Sequence, residues 1–178
     1  MEKELIVIET NRLKIIALTL DLFDSLLQSN EALEKKLGLN PSGEEFDTHT
    51  KEAMEGLYGK AIQHKTSYYW YTNWQIIFKT ENKSIGSLCF MGEADTNGTV
   101  EIGYGINKAY QNKGYMTEAA FAVCQWALKQ PNIQSVTAET ETNNIPSHRV
   151  LEKCGLIKDH QTDESIWWKI KKPCDIME

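Results

Sequence analysis

The chain has 178 residues, 25 % of them charged and 41 % hydrophobic, with a formal net charge of −6; that is enough for one domain, residues 1–178, with a substantial core. No basic tail or dense Lys/Arg cluster is present and no apolar run is long enough to span a membrane, which argues against an unspecific grip on a nucleic-acid backbone and against insertion in a bilayer. Such a surface tolerates a cationic, amine-bearing substrate.

Residues 5–8 read as a lead-in to a first strand, and residues 13–18 as an edge strand. Thr19 or Asp21 can cap a following helix that places Leu22, Phe23, Leu26 and Leu27 on one side. Helical spacing continues over 31–37 and stops at Gly38 and Pro41. After a polar stretch, 51–64 carries Ala53, Met54, Leu57, Tyr58 and Ile62 at helical spacing, weakened by Gly56 and Gly59. Segments 74–79, 85–91 and 100–106 are strands separated by short turns, which predicts an antiparallel meander. Segment 119–130 reads as a helix stopped by Pro131, so the strand at 133–140 lies parallel to 100–106. Pro146 suits the first turn of a helix over 147–153, with Gly155 as its C-cap. A hairpin of 156–160 and 166–171 follows, then a loose tail. The order of elements predicts an α+β fold: a mixed, mostly antiparallel twisted sheet of six or seven strands with helices on both faces.

Cys89, Cys124, Cys154 and Cys174 have no zinc-site spacing, and the histidines at 49, 64, 148 and 160 add no ligand cluster, so no metal is expected. No secretory signal is legible, and a chain of this size holds together without staples. Reduced thiols and a cytoplasmic location are the expectation.

Between the strand at 100–106 and the helix at 119–130 lies Gln111-Asn112-Lys113-Gly114-Tyr115-Met116-Thr117-Glu118. A strand, a short polar loop with one glycine and a helix is the arrangement in which free backbone N–H groups converge on a phosphate, helped by the helix macrodipole. It is also the commonest form of a connection that binds nothing. Further on come Asn144-Ile145-Pro146-Ser147 and Arg149-Val150-Leu151-Glu152-Lys153-Cys154-Gly155-Leu156, and near the start Thr10-Asn11-Arg12-Leu13-Lys14-Ile15.

Taken together these stretches resemble the GNAT N-acetyltransferases, and more closely the RimJ/RimL-like branch that acetylates ribosomal-protein N-termini. That family carries Gln/Arg-x-x-Gly-x-Gly/Ala in this loop, and the branch continues with Thr/Ser-Glu-Ala, Asn-x-x-Ser, Glu-Lys-x-Gly-Phe and an opening Thr-x-Arg-Leu-x-Leu. The match runs in order over nearly the whole chain. It departs at Met116, where the family has a small residue, so that side chain must point away from the phosphates.

The resemblance implies a GNAT-like acyl-CoA N-acyltransferase fold, acetyl-CoA as donor with coenzyme A as product, and transfer to a primary amine in a ternary complex. The pyrophosphate would sit on the N–H groups of Gln111, Asn112, Lys113, Gly114, Tyr115, Met116 and Thr117. Thr117 would add its hydroxyl or cap the helix, and Lys113 would pair with a ribose phosphate or merely solubilise. Tyr115 and Met116 would anchor the loop to the core. The pantetheine arm would lie where the strands ending at 106 and 140 splay apart, paired with backbone at Ile106 and Asn107, whose N–H groups would polarise the carbonyl. Asn144 would bond the arm and Ser147 lie near the sulfur, although Asn and Ser are also the commonest helix caps. Gly103 and Gly105 mark a close approach or simple packing.

For catalysis, Glu101 is the candidate base, with a solvated strand glutamate as the plain alternative. Ser147 is first choice to protonate the thiolate, with Tyr104 behind it. Tyr104 and Glu101 alternate along the strand, so they cannot share a pocket unless a bulge intervenes. His148 points about 100° from Ser147 on a helix. A protein N-terminal α-amine is the favoured acceptor; polyamines, amino acids, aminoglycosides and lysine side chains are the alternatives. A homodimer is suggested by Trp167-Trp168, of which alternation buries only one in the core face. Two other classes compete. A nucleotide enzyme would want a Lys-Ser/Thr pair in the loop or Gly-x-Gly-x-x-Gly, and neither occurs. An acyl-CoA-sensing or protein-binding module would keep the loop without turnover.

Overall fold

A computed structural model describes residues 5–173. Residues 1–4 and 174–178, and with them Cys174 and most of the expected tail, lie outside the described residues. The strands are β1 Val7–Glu9, β2 Leu13–Ala17, β3 Asn73–Phe78, β4 Lys83–Phe90, β5 Thr99–Ile106, β6 Ser135–Glu141, β7 Ile157–Gln161 and β8 Ser165–Lys171. The helices are α1 Leu20–Gln28, α2 Asn30–Leu37, α3 Thr48–Gln63, α4 Tyr115–Leu128 and α5 Ile145–Lys153.

The strands form one sheet in the order β1-β2-β3-β4-β5-β6-β8-β7. Eight strands replace the expected six or seven because the short β1 pairs with β2, Val7 opposite Ile16. That makes β2 an interior strand rather than an edge: Leu13, Ile15, Ile16 and Ala17 are all buried, so its apolar run is nearly continuous instead of alternating. Every neighbouring pair is antiparallel except β5 with β6.

Two cores flank the sheet. On one face Trp74, Ile76, Leu88, Val100 and Ile102 pack beneath Ala119, Val123 and Ala127 of α4. On the other, Ile16, Leu18 and Ile77 pack against Phe23, Leu26, Leu33 and Met54 of α1–α3. The helix ends follow their chemistry. Thr19, Ser29 and Asp47 accept N–H bonds at the starts of α1, α2 and α3, and Gly38 closes α2 at φ 67°. No helix among the described residues is long and apolar enough to cross a membrane.

Two boundaries differ from expectation where the site is built. Helix α4 starts at Tyr115, not Ala119, because Gly114 at φ 79° turns the chain directly into it; Thr117 therefore sits in the first turn and is not the cap. Helix α5 starts at Ile145, with Asn144 as its cap, and Gly155 follows the C-cap Cys154 at φ 86°. In β8 the tryptophans divide as alternation requires. Trp168 is buried and donates to Thr140 Oγ1 at 2.9 Å. Trp167 turns the other way and stacks on His160 of its own chain, centroids 4.5 Å apart, so its partial burial needs no second subunit.

Candidate active site

Strand β5 sets the site. Val100 and Ile102 are buried toward α4. Alternation puts Tyr104 and Ile106 on that same face and Thr99, Glu101, Gly103 and Gly105 on the other. Its parallel pairing with β6 covers only Thr99–Ser135, Val100–Val136 and Glu101–Thr137. Beyond Glu101 the two strands separate, leaving a fork. The meander side stays paired to the end: Gly86 lies opposite Ile106, and the Asn107 N–H donates to Ile85 O at 2.8 Å. Antiparallel alternation then turns the Ile106 N–H the other way, into the fork. This corrects the expectation for Asn107, whose amide is held in the ladder and is not offered to a carbonyl.

A cleft of about 740 Å³ opens from the fork. Its walls are Tyr104, Gly105 and Ile106 of β5, Gln111, Asn112, Gly114, Tyr115, Met116 and Thr117 of the loop and α4, and Asn144, Ser147, Arg149 and Lys153 around α5. A Cβ on Gly105 would meet nothing within 4 Å, so the chain there borders open space. At Gly103 a Cβ would lie 2.6 Å from the Met91 methyl, the far end of a flexible, exposed side chain that can swing aside, so packing does not demand glycine there.

The loop end of the cleft suits an anion. Gly114 is the N-cap of α4 and offers no side-chain acceptor. Its carbonyl takes the Glu118 N–H at 3.0 Å, while the N–H groups of Tyr115, Met116 and Thr117 have no carbonyl a turn behind them. These amides and the positive end of the helix dipole lie at the loop end, and the cations Arg149 and Lys153 of α5 line the same cleft. Met116 is buried in the core, 5 % exposed, so the departure from a small residue does not obstruct the loop. Tyr115 packs on Phe78, centroids 4.9 Å apart. The Gln111 N–H, expected on the pyrophosphate, instead donates to Lys108 O at 3.3 Å, closing the turn before the loop. Lys113 does not line the cleft: its ammonium donates to Ala109 O at 2.9 Å and lies over the Tyr110 ring. The cations that do line it, Arg149 and Lys153, were missed from sequence; their spacing of one helical turn was the available signal.

At the fork end, the Tyr104 hydroxyl lies 2.7 Å from Ser147 Oγ and 3.4 Å from Ser147 O. Burial pushes the Tyr104 phenol up to about 12, and the Ser147 hydrogen bond opposes that. Asn144 does cap α5, its Oδ1 accepting the Ser147 N–H at 3.3 Å, and the residue also lines the cleft. His148 is buried, with Nε2 3.0 Å from Glu141 O, and takes no part. Glu101 is on the opposite face of β5, at the last paired position before the fork. Burial raises its carboxyl above the ordinary range, and the neighbouring Glu139 raises it further. Among the described residues no cluster of His, Cys, Asp and Glu is arranged to hold a metal ion.

Residues 12–157 match the Acetyltransferase (GNAT) domain family. The chain is 30 % identical over 164 residues to the uncharacterized N-acetyltransferase YjdG of Bacillus subtilis, covering 92 % of this chain and 97 % of that one. Among solved structures, an acetyltransferase of the GNAT family from Bacillus anthracis superposes with a TM-score of 0.64 at 23 % identity, covering 94 % of this chain and 99 % of that one. The ribosomal L7/L12 α-N-protein acetyltransferase RimL in complex with coenzyme A superposes with a TM-score of 0.69 at 15 % identity, covering 96 % and 100 %. At these identities the structures are similar in fold.

Proposed function

The chain belongs to the GNAT acetyltransferase family, and from that premise we propose that this acetyl-CoA-dependent enzyme acetylates a primary amine directly, with a protein N-terminal α-amine as the favoured acceptor. The observation that carries the reading is the fork between β5 and β6. It joins a cleft with an anion-binding end to a sheet face bearing a half-buried carboxylate. Acetyl-CoA supplies an activated thioester; the chain supplies position and protons. The amides of residues 115–117, with Arg149 and Lys153, hold the pyrophosphate, and the edge of β5 at Tyr104–Ile106 pairs with the pantetheine arm. The Ile106 N–H polarises the carbonyl. Glu101 takes the amine's proton from the opposite face, directly or through water, and the Tyr104–Ser147 pair protonates the departing thiolate. A reducing, cytoplasmic setting fits the unpaired thiols Cys89, Cys124 and Cys154.

An α-amine near pKa ~8 asks about 3 kcal/mol less of the base than a lysine near ~10.4, at ~1.4 kcal/mol per unit. That and the branch resemblance favour a protein N-terminus. A small-molecule amine is the second reading, favoured by Glu139 beside Glu101, a pair that suits a compact polycation.

The test is a thiol-release assay over peptide and amine panels across pH. Glu101 works only when deprotonated, and its carboxyl is raised in the folded protein. The rate therefore falls as pH drops through a value above the ordinary carboxylate range. Glu101→Gln should lower kcat/KM by about 10²-fold or more and abolish this acid limb. Wild-type turnover by Glu101→Gln at every pH would remove Glu101 as the base.

A further inference from the structure

The two halves of the sequence resemblance meet in space. Thr10 Oγ1 donates to Glu118 Oε1 at 2.7 Å, and the Arg12 backbone N–H donates to the same oxygen at 2.8 Å. Arg12 Nε donates to Glu118 Oε2 at 2.7 Å. The same guanidinium reaches across the loop: Nη1 donates to Lys113 O at 3.0 Å, and its carbon sits 4.4 Å over the Tyr115 ring. A Cβ on Gly114 would lie 3.4 Å from Nη2. One side chain thus touches the residue before the cap, the first helical residue and the fourth, and it passes beneath the cap itself. Arg12 is not among the residues that line the cleft.

The position of Glu118 gives this contact a consequence. A carboxylate in the first turn of a helix is itself an anion at the positive end of the dipole, so it competes with any phosphate bound there. Burial alone would raise the Glu118 carboxyl, but the hydrogen bonds from Thr10 and Arg12 hold it below the ordinary range, so it stays charged. Arg12 supplies the matching positive charge in a two-sided, charge-assisted contact.

The structure assigns Arg12 as a positioning residue for the donor: it neutralises Glu118 beneath the phosphate loop and fixes the carbonyl of Lys113, so that the amides of α4 are left to the pyrophosphate. This rests on the donor placement proposed above. Arg12 acts through the loop and touches no reacting atom, so it governs donor affinity and leaves the chemical step alone.

The experiment is a double-mutant cycle on Arg12 and Glu118, with coenzyme A affinity by calorimetry and kcat at saturating acetyl-CoA. Arg12→Ala should weaken coenzyme A by about tenfold or more with kcat within about twofold of wild type. Arg12→Ala combined with Glu118→Gln should bind severalfold tighter than Arg12→Ala, because the stranded carboxylate is gone. Arg12→Lys keeps the charge but loses the fork, and should weaken binding about threefold; it carries the test if Arg12→Ala does not fold. Unchanged affinity in folded Arg12→Ala or in Arg12→Lys overturns the inference, as does a double variant no tighter than Arg12→Ala. Gly114→Val separates the two claims. If it weakens coenzyme A while Arg12 variants do not, only this inference fails; if neither does, the donor placement fails.

Discussion

Replacing Gly114 with valine should weaken coenzyme A binding by about a hundredfold or more while the sheet stays folded. Gly114 sits at φ 79°, a conformation that costs an L-residue roughly 1–2 kcal/mol and a β-branched one more. Its Cβ would already lie 3.4 Å from Arg12 Nη2, so the two methyl groups of valine enter either the guanidinium or the cleft. The loop has to rearrange, and the three uncapped amides behind it lose their common direction. Because the main cores do not involve Gly114, the fold should survive, with thermal unfolding lowered by only about 2–4 °C for each kcal/mol of that strain. Calorimetry showing wild-type affinity in a folded Gly114→Val variant would remove the loop from the donor site.

Tyr104→Phe should lower kcat by about 10²-fold or more, with little change in coenzyme A affinity. The phenol lies 2.7 Å from Ser147 Oγ, and a hydroxyl can donate and accept at once. The pair therefore forms one relay rather than two independent acids. Burial holds the phenol protonated up to about 12, so a proton is present throughout the physiological range. Ser147→Ala should cost a similar factor, and the double variant little more than either single one, because groups that act as a unit are not additive. Multiplicative losses in the double variant would show that the two hydroxyls act separately; single variants at wild-type kcat would leave the thiolate to water.

Much of this was legible in the sequence. The parallel pair could be placed because a helix separates its strands, and the loop because glycine, polarity and a following helix coincide. Other features were not legible. The sequence pattern starts α4 at Ala119 rather than Tyr115 because its cap, Gly114, carries no side-chain signal and the periodicity only becomes clear a turn later. The short β1 has too few residues to show alternation, so the sequence pattern makes β2 an edge. That the Asn107 amide is committed and the Ile106 amide free to turn inward is a matter of ladder register, which local pattern does not encode. The Arg12–Glu118 contact spans 106 positions. Both residues stood inside motifs, yet no local rule joins them.

Direct transfer from acetyl-CoA to an amine within one ternary complex is the step proposed for this site. The described cysteines are poor candidates for a covalent relay. Burial pushes the thiols of Cys89 to about 11 and Cys154 to about 12, and that of Cys124 higher still, so almost no thiolate exists at neutral pH. The most direct test is a matrix of initial rates in which acetyl-CoA and the best amine acceptor are both varied, with the acetylated amine identified by mass. Direct transfer gives intersecting reciprocal plots and one acetylated amine per thiol released; parallel plots with an acetylated protein intermediate, or thiol release without any acetylated amine, would rule it out.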